Sequence, residues 1–188
     1  MNKQPQPEIE RDNDVVASLA VTLDGYVARL DGAVDYLEKY PLPDFDFDEW
    51  AERIGALVMG RTSYQQLLEW GWLWGNRPTL VLTNATDLAV PGGANVTFRS
   101  APTAKAITEW SAQTPKQLWV FGGGNVVTAA LLGGAVDTLD LTIMPEALGE
   151  GIPLFNKPYP GPMRIIHSVP YDNGAVRLVY DTTTPRTS

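Results

Sequence analysis

The chain has no cysteine, which excludes disulfides, thiolate-bound metals and cysteine nucleophiles and suits a reducing cytoplasm. Its single histidine, His167, lies in the run Ile165-Ile166-His167-Ser168-Val169, where an ordinary strand residue explains it; no metal site is expected. Positive charge is short as well. Lys and Arg number 14 against 22 Asp and Glu, a net charge of -8, and no basic cluster occurs, so no nucleic-acid partner is expected. No apolar run approaches the roughly 18 residues of a membrane span, so the expectation is a cytoplasmic protein without membrane contact. Residues 1–14 are polar, carry Pro5 and Pro7 and lack the apolar centre of a signal peptide; they read as a disordered tail, and residues 182–188 as a second one.

What is present is ordinary globular composition. At 188 residues and 44% hydrophobic, the chain suits one domain with a substantial core, expected over residues 15–181. Residues 15–21 form a nearly unbroken apolar run of the kind found in strands covered on both faces. Asp24-Gly25 breaks it, and a loop follows over residues 29–43. Residues 44–54 have helical spacing, with Phe47, Trp50, Ala51 and Ile54 on one stripe. Residues 56–59, 79–82, 95–98 and 118–121 read as further strands, interleaved with helices that open near Arg61, Pro102 and Gly124. That alternation predicts a mainly parallel sheet with helices on both faces. After a strand at 139–143, residues 164–169 and 175–180 flank Asn173-Gly174, a strong hairpin signal, which adds an antiparallel edge.

Three predicted strands end in residues that let a ligand approach the main chain: Gly60-Arg61-Thr62-Ser63, Thr83-Asn84 and Gly122-Gly123-Gly124. In open α/β sheets the carboxyl edge is where ligands bind. A helix that starts straight after glycine presents unpaired N–H groups and a partial positive charge, which suits a phosphate. Close strand–helix packing would use the same glycines. A glycine turn for one phosphate, small hydroxyls for another and an arginine for a third anionic group fit a phosphorylated dinucleotide. Arg61, with a planar fork that holds two oxygens at once, fits a 2′-phosphate and points to NADPH over NADH; its other reading is a surface ion pair. The Rossmann fingerprint is absent, since Val127 stands where the third glycine belongs, and no Lys-Ser or Lys-Thr follows the glycines as in a Walker loop.

Taken in order, Ser18-Leu19-Ala20-Val21-Thr22-Leu23-Asp24-Gly25-Tyr26-Val27-Ala28, Met59-Gly60-Arg61-Thr62-Ser63-Tyr64, Val81-Leu82-Thr83-Asn84, Phe121-Gly122-Gly123-Gly124 and the Asn173-Gly174 hairpin resemble the dihydrofolate reductase superfamily. That superfamily includes the reductase domain of the bifunctional riboflavin-pathway deaminase/reductase. The resemblance implies a three-layer α/β fold: a mixed, mainly parallel sheet of about eight strands with a C-terminal antiparallel hairpin and helices on both faces. It implies NADPH across the middle, with Arg61, Thr62 and Ser63 on the cofactor phosphates and Thr83 at the adenosine end. Gly122, Gly123, Gly124 and Asn125, with Val126 beside them, would meet the diphosphate, and Gly122-Gly123 would be joined by a cis peptide. Ala20 would line the nicotinamide pocket, and Asp24-Gly25 would begin a mobile loop that closes over it.

The resemblance also implies a carboxylate on the first helix that promotes protonation of the substrate. Counting back from Gly60 without gaps lands on Asp44, on the stripe of Phe47 and Ala51 if the helix extends that far. Asp48 is the alternative, and both acids would equally suit a helix N-terminus with no part in catalysis. Thr142 matches a strand threonine that supports the acid or substrate, or is a plain β-branched strand residue. Trp70, Trp72 and Trp74 either wall a flat heterocycle or pack in the core. The chain lacks a deaminase half, and no arginine clearly matches the one that holds the folate tail. The implied function is therefore an NADPH-dependent reductase of the 5-amino-6-(5-phosphoribosylamino)uracil reductase type, acting as a homodimer on a small aminopyrimidine- or pteridine-like compound. Dihydrofolate reduction is the second reading. A nucleotide-binding sensor that keeps the fold and drops the reaction is the alternative of another class.

Overall fold

A computed structural model describes residues 14–41, 47–85 and 87–183. The elements in chain order are β1 (Val15–Thr22), β2 (Tyr26–Ala28), a 3-10 helix (Asp35–Lys39), α1 (Phe47–Arg53), β3 (Ile54–Gly60), α2 (Arg61–Trp70), β4 (Thr79–Leu82) and β5 (Val96–Arg99). They continue with α3 (Thr103–Ser111), β6 (Gln117–Gly122), α4 (Gly124–Leu132), β7 (Thr138–Met144), β8 (Ile152–Pro153), β9 (Arg164–Pro170) and β10 (Val176–Asp181). Eight strands form one sheet in the order β5-β4-β3-β6-β1-β7-β10-β9. From β5 to β7 every neighbouring pair is parallel. Only β10 runs against its neighbours β7 and β9, so β9, the edge strand, again points with the parallel set.

The side-chain period of two sorts the strands onto two cores. Ala17, Val58, Leu80, Val120 and Leu139 face α3 and α4, where they meet Ile107, Val127 and Leu131. Leu57, Met59, Val81 and Trp119 point the other way, onto Trp50, Tyr64 and Leu67 of α1 and α2. Each such side chain contributes roughly 1.5–3 kcal/mol through burial, so helices on both sides are required by strands apolar on both faces. The hairpin closes at Gly174, whose φ of 88° suits glycine, with the Tyr171 N–H donating to the Ala175 carbonyl at 2.8 Å. His167 is a residue of β9, paired with Val179.

Two boundaries differ from the sequence reading. Ile54, placed on the helical stripe, opens β3 opposite Gln117, because pairing with β6 begins there. Gly55 allows it: a methyl group on that residue would lie 2.9 Å from Lys116 Cβ. The region read as a loop from 29 to 43 contains the 3-10 helix, and β2 and β8 form a small separate antiparallel sheet. No helix among the described residues is long and apolar enough to cross a membrane.

Candidate active site

Because β1, β3, β4, β5 and β6 are parallel, their carboxyl ends share one edge, and two cavities open there. The larger, about 480 Å³, lies between β1, the start of α2 and the β6–α4 junction. The smaller, about 250 Å³, lies over the ends of β4 and β5. Asn125 and Val126 line both, so the two form adjoining compartments.

Two helices begin at this edge with a glycine in the capping position: Gly60 before α2 and Gly123 before α4, both with extended backbone and no side-chain cap. The leading N–H groups of a helix have no acceptor within it, so both ends present donors and a partial positive charge to the same space. They lie close together: a methyl group on Gly123 would come within 3.6 Å of Ser63 Oγ. Arg61 stands exposed at the rim of the larger cavity.

The three consecutive glycines have three different reasons. Gly122 has φ 131° and is joined to Gly123 by a cis peptide. Gly124 is forced by packing, since a Cβ would sit 2.3 Å from the Pro153 carbonyl oxygen. Gly123 alone faces the cavity with room to spare. Packing therefore requires the glycine at 124, while at 123 the space beside the main chain stays open.

Of the residues singled out from the sequence, Ala20, Arg61, Thr62, Ser63, Gly123, Gly124, Asn125 and Val126 line the larger cavity. Thr83 lines the smaller one, where its hydroxyl accepts the Ala85 N–H at 3.0 Å. Gly122 is buried just behind the lining. Thr142 is half-buried beside Ala20 in the β1–β7 register but lines neither cavity. Asp48 is exposed in the first turn of α1 and likewise lines neither. Asp44 lies outside the described residues. Trp70 lines the cavity, whereas Trp74 is buried against Trp119 and Trp72 packs on Tyr64.

Sequence reasoning missed Ser18, Gln66, Trp119 and Phe121 in the larger cavity and Arg99 in the smaller. Arg99 was findable, since it ends β5 on the edge already picked out for ligands. Its guanidinium is paired with Glu109, which also has Lys105 at 3.8 Å. Ser18 required knowledge of the register: it sits opposite Asp140 in β7, and its hydroxyl donates to Asp140 Oδ2 at 3.4 Å. Asp140 is held in turn by Arg177, with Nε and Nη2 donating at 2.9 and 2.7 Å, and both residues are buried. Burial alone would lower the Arg177 pKa, but the hydrogen bonds and charge of Asp140 outweigh it and raise it.

The loop bordering the cavity is anchored at both ends. Tyr36 is fully buried and donates to the Val27 carbonyl at 3.0 Å, and burial pushes its phenol up to about 12. Gln66 Nε2 donates to the Gly32 carbonyl at 3.1 Å, tying this loop to α2. On the other side Asp24 accepts the Thr22 hydroxyl at 2.6 Å and the Gly149 N–H at 2.7 Å, contacts that hold its carboxyl below the ordinary range. No cluster of His, Cys, Asp and Glu able to hold a metal occurs among the described residues.

The mixed, mainly parallel sheet with its antiparallel hairpin and flanking helices is a dihydrofolate-reductase-like α/β fold, similar to solved structures of riboflavin biosynthesis reductase-like proteins and of dihydrofolate reductase. In particular, the chain is 26% identical to a candidate riboflavin biosynthesis protein from Shewanella sp. PV-4, with a TM-score of 0.74 over 93% of this chain and 99% of that one. The dihydrofolate reductase of Enterococcus faecalis, complexed with NADP(H) and RAB-propyl, is 21% identical, with a TM-score of 0.65 over 90% of this chain and 96% of that one. By sequence the chain is 25% identical to the uncharacterized protein YwjB of Bacillus subtilis (strain 168) over 149 residues, 78% of this chain and 84% of the other. No family model matches the chain.

Proposed function

We propose that this protein is an NADPH-dependent reductase of the riboflavin-pathway reductase type, a single domain over residues 15–181 that delivers hydride to a C=N or C=O bond of a small aminopyrimidine- or pteridine-like compound. The observation that carries the reading is the convergence of the α2 and α4 N-termini on one cavity with an arginine at its rim. The residues fit the coenzyme. Thr62, Ser63, Gly123, Gly124 and Asn125 would hold the diphosphate through helix-end N–H groups and small hydroxyls, with Val126 beside them. Arg61 would hold the 2′-phosphate, and Thr83 the adenosine end in the smaller cavity.

When bound, NADPH supplies the hydride; the protein's part is to position and to exclude water. Ala20 leaves room for a flat ring on the sheet edge. Trp119 and Phe121 give that ring an apolar wall, and the loop tied down by Tyr36 and Gln66 borders it. Asp44 is proposed as the acid, with Asp48 as its alternative and Thr142 as support. A positioned acid is worth on the order of 100 to 10,000-fold in rate. Because no carboxylate among the described residues lines the cavity, a non-catalytic nucleotide sensor is the second reading.

Titration of NADPH and NADH by tryptophan fluorescence, with Trp70 and Trp119 as reporters, combined with the loss of reduced-nicotinamide absorbance on adding substrates, tests the reading. NADPH is expected to bind more tightly, with Arg61→Ala losing that preference. Binding without turnover on any flat heterocycle supports the sensor. A turnover pH profile unmoved by Asp44→Asn contradicts the acid.

A further inference from the structure

The larger cavity divides by chemistry. One part is set by the two helix N-termini and Arg61. The rest, floored by Ser18 and Ala20 and walled by Trp119, Phe121, Leu37 and Trp70, has no charged side chain in its lining among the described residues. Three cations near this part of the fold are engaged with acids: Arg29 with Asp35 at 2.6 Å, Lys39 with Glu146 at 3.0 Å, and Arg177, buried, with Asp140 at 2.7 Å. The internal residues outside the description, 42–46 and 86, contain two acids and no base. The chain as a whole carries a net charge of -8.

The polar groups in this part offer acceptor oxygens to a ligand's donors. Ser18 directs its proton to Asp140 at 3.4 Å, which leaves its lone pairs to accept from a ligand. Gln66 donates one of its two amide N–H groups to the Gly32 carbonyl, so its oxygen, together with the second N–H, is left for a ligand. The indole N–H of Trp119 is likewise taken, by the Ser18 carbonyl at 2.9 Å. An anion entering here would lose water and find no cation among the described lining residues to replace it, which is far costlier than burying a neutral ring. The net negative charge would add a longer-range repulsion.

We infer that the substrate is a planar heterocycle presenting N–H donors and carrying neither phosphate nor carboxylate, an inference that rests on the reductase reading above. It separates this protein from phosphoribosyl and glutamyl substrates while keeping the ring chemistry and the coenzyme. The cavity supplies aromatic faces and hydrogen-bond acceptors, and reserves its one lining arginine for the coenzyme.

The test uses a matched pair, 5-amino-6-ribosylaminouracil and its 5′-phosphate, titrated by calorimetry into the full chain already loaded with NADPH. The unphosphorylated compound is expected to bind at least about tenfold more tightly, equivalent to about 1.4 kcal/mol. In Gln66→Arg, which places a cation at this wall, the gap is expected to narrow or reverse. Equal or tighter binding of the phosphate by the unaltered protein overturns the inference, as does failure of both compounds to bind the loaded protein. A protein that takes up no NADPH in the loading step contradicts the reductase reading instead, so the two failures are told apart.

Discussion

Gly123 and Gly124 are neighbours with opposite constraints, and they give the sharpest contrast between binding and stability. A Cβ on Gly124 would collide with the Pro153 carbonyl at 2.3 Å, so Gly124→Ala is expected to cost about 1–3 kcal/mol by denaturant unfolding. On Gly123 the nearest atom would be Ser63 Oγ at 3.6 Å. Gly123→Ala is therefore expected to stay within about 0.5 kcal/mol of the parent and to weaken NADPH by about tenfold or more through crowding of the helix ends. The reverse pattern would mean that Gly123 is a packing residue. Tyr36 gives a second test. Burial raises its phenol from 10.0 to about 12, so folding favours the neutral form. Its contribution is fully present below pH 10.0 and is lost as the pH climbs toward 12. Tyr36→Phe leaves the Val27 carbonyl without its donor and is expected to cost about 1–3 kcal/mol at neutral pH, while flattening the alkaline fall in stability.

At the level of elements, most strands and helices were legible because apolar runs and glycine stops coincide; α4 begins at the glycine from which the sequence reading opened it. The failures have physical causes. Ile54 satisfies a helical stripe and a strand equally well, and pairing with Gln117, invisible locally, decides between them. The pair β2 and β8 contributes three and two residues, too few to carry a periodic signal. The 3-10 helix is held by the buried Tyr36 rather than by propensity. The β9–β10 hairpin, read from Asn173-Gly174, is fastened at its open end by Asp181. The Thr183 hydroxyl first, and then Arg164, hold its carboxyl down from 3.8 to about 2. That contribution is present above pH 3.8 and disappears as the pH falls toward 2. Asp181→Asn is expected to lose at most about 1 kcal/mol at neutral pH, since solvent screens the pair, with no difference from the parent once both are measured near pH 2.

For the whole molecule, the sheet order determines which residues meet. Placing β6 between β3 and β1 brings the starts of α2 and α4 side by side, and placing β4 and β5 beyond β3 adds a second compartment where Thr83 and Arg99 face one another's strand ends. The part of the cavity at the two helix starts was legible in sequence because it is built from main chain and announced by glycines. The rest of the cavity was not, because Ser18, Gln66 and Trp119 become neighbours only through a register and a crossover. The central claim is that the two helix N-termini together form a coenzyme site. A crystal structure of the protein grown with NADPH tests it most directly. The account predicts the diphosphate between Ser63 and Gly123, the 2′-phosphate on Arg61 and the nicotinamide beside Ala20; a coenzyme bound elsewhere, or this edge left empty at saturating NADPH, would contradict it.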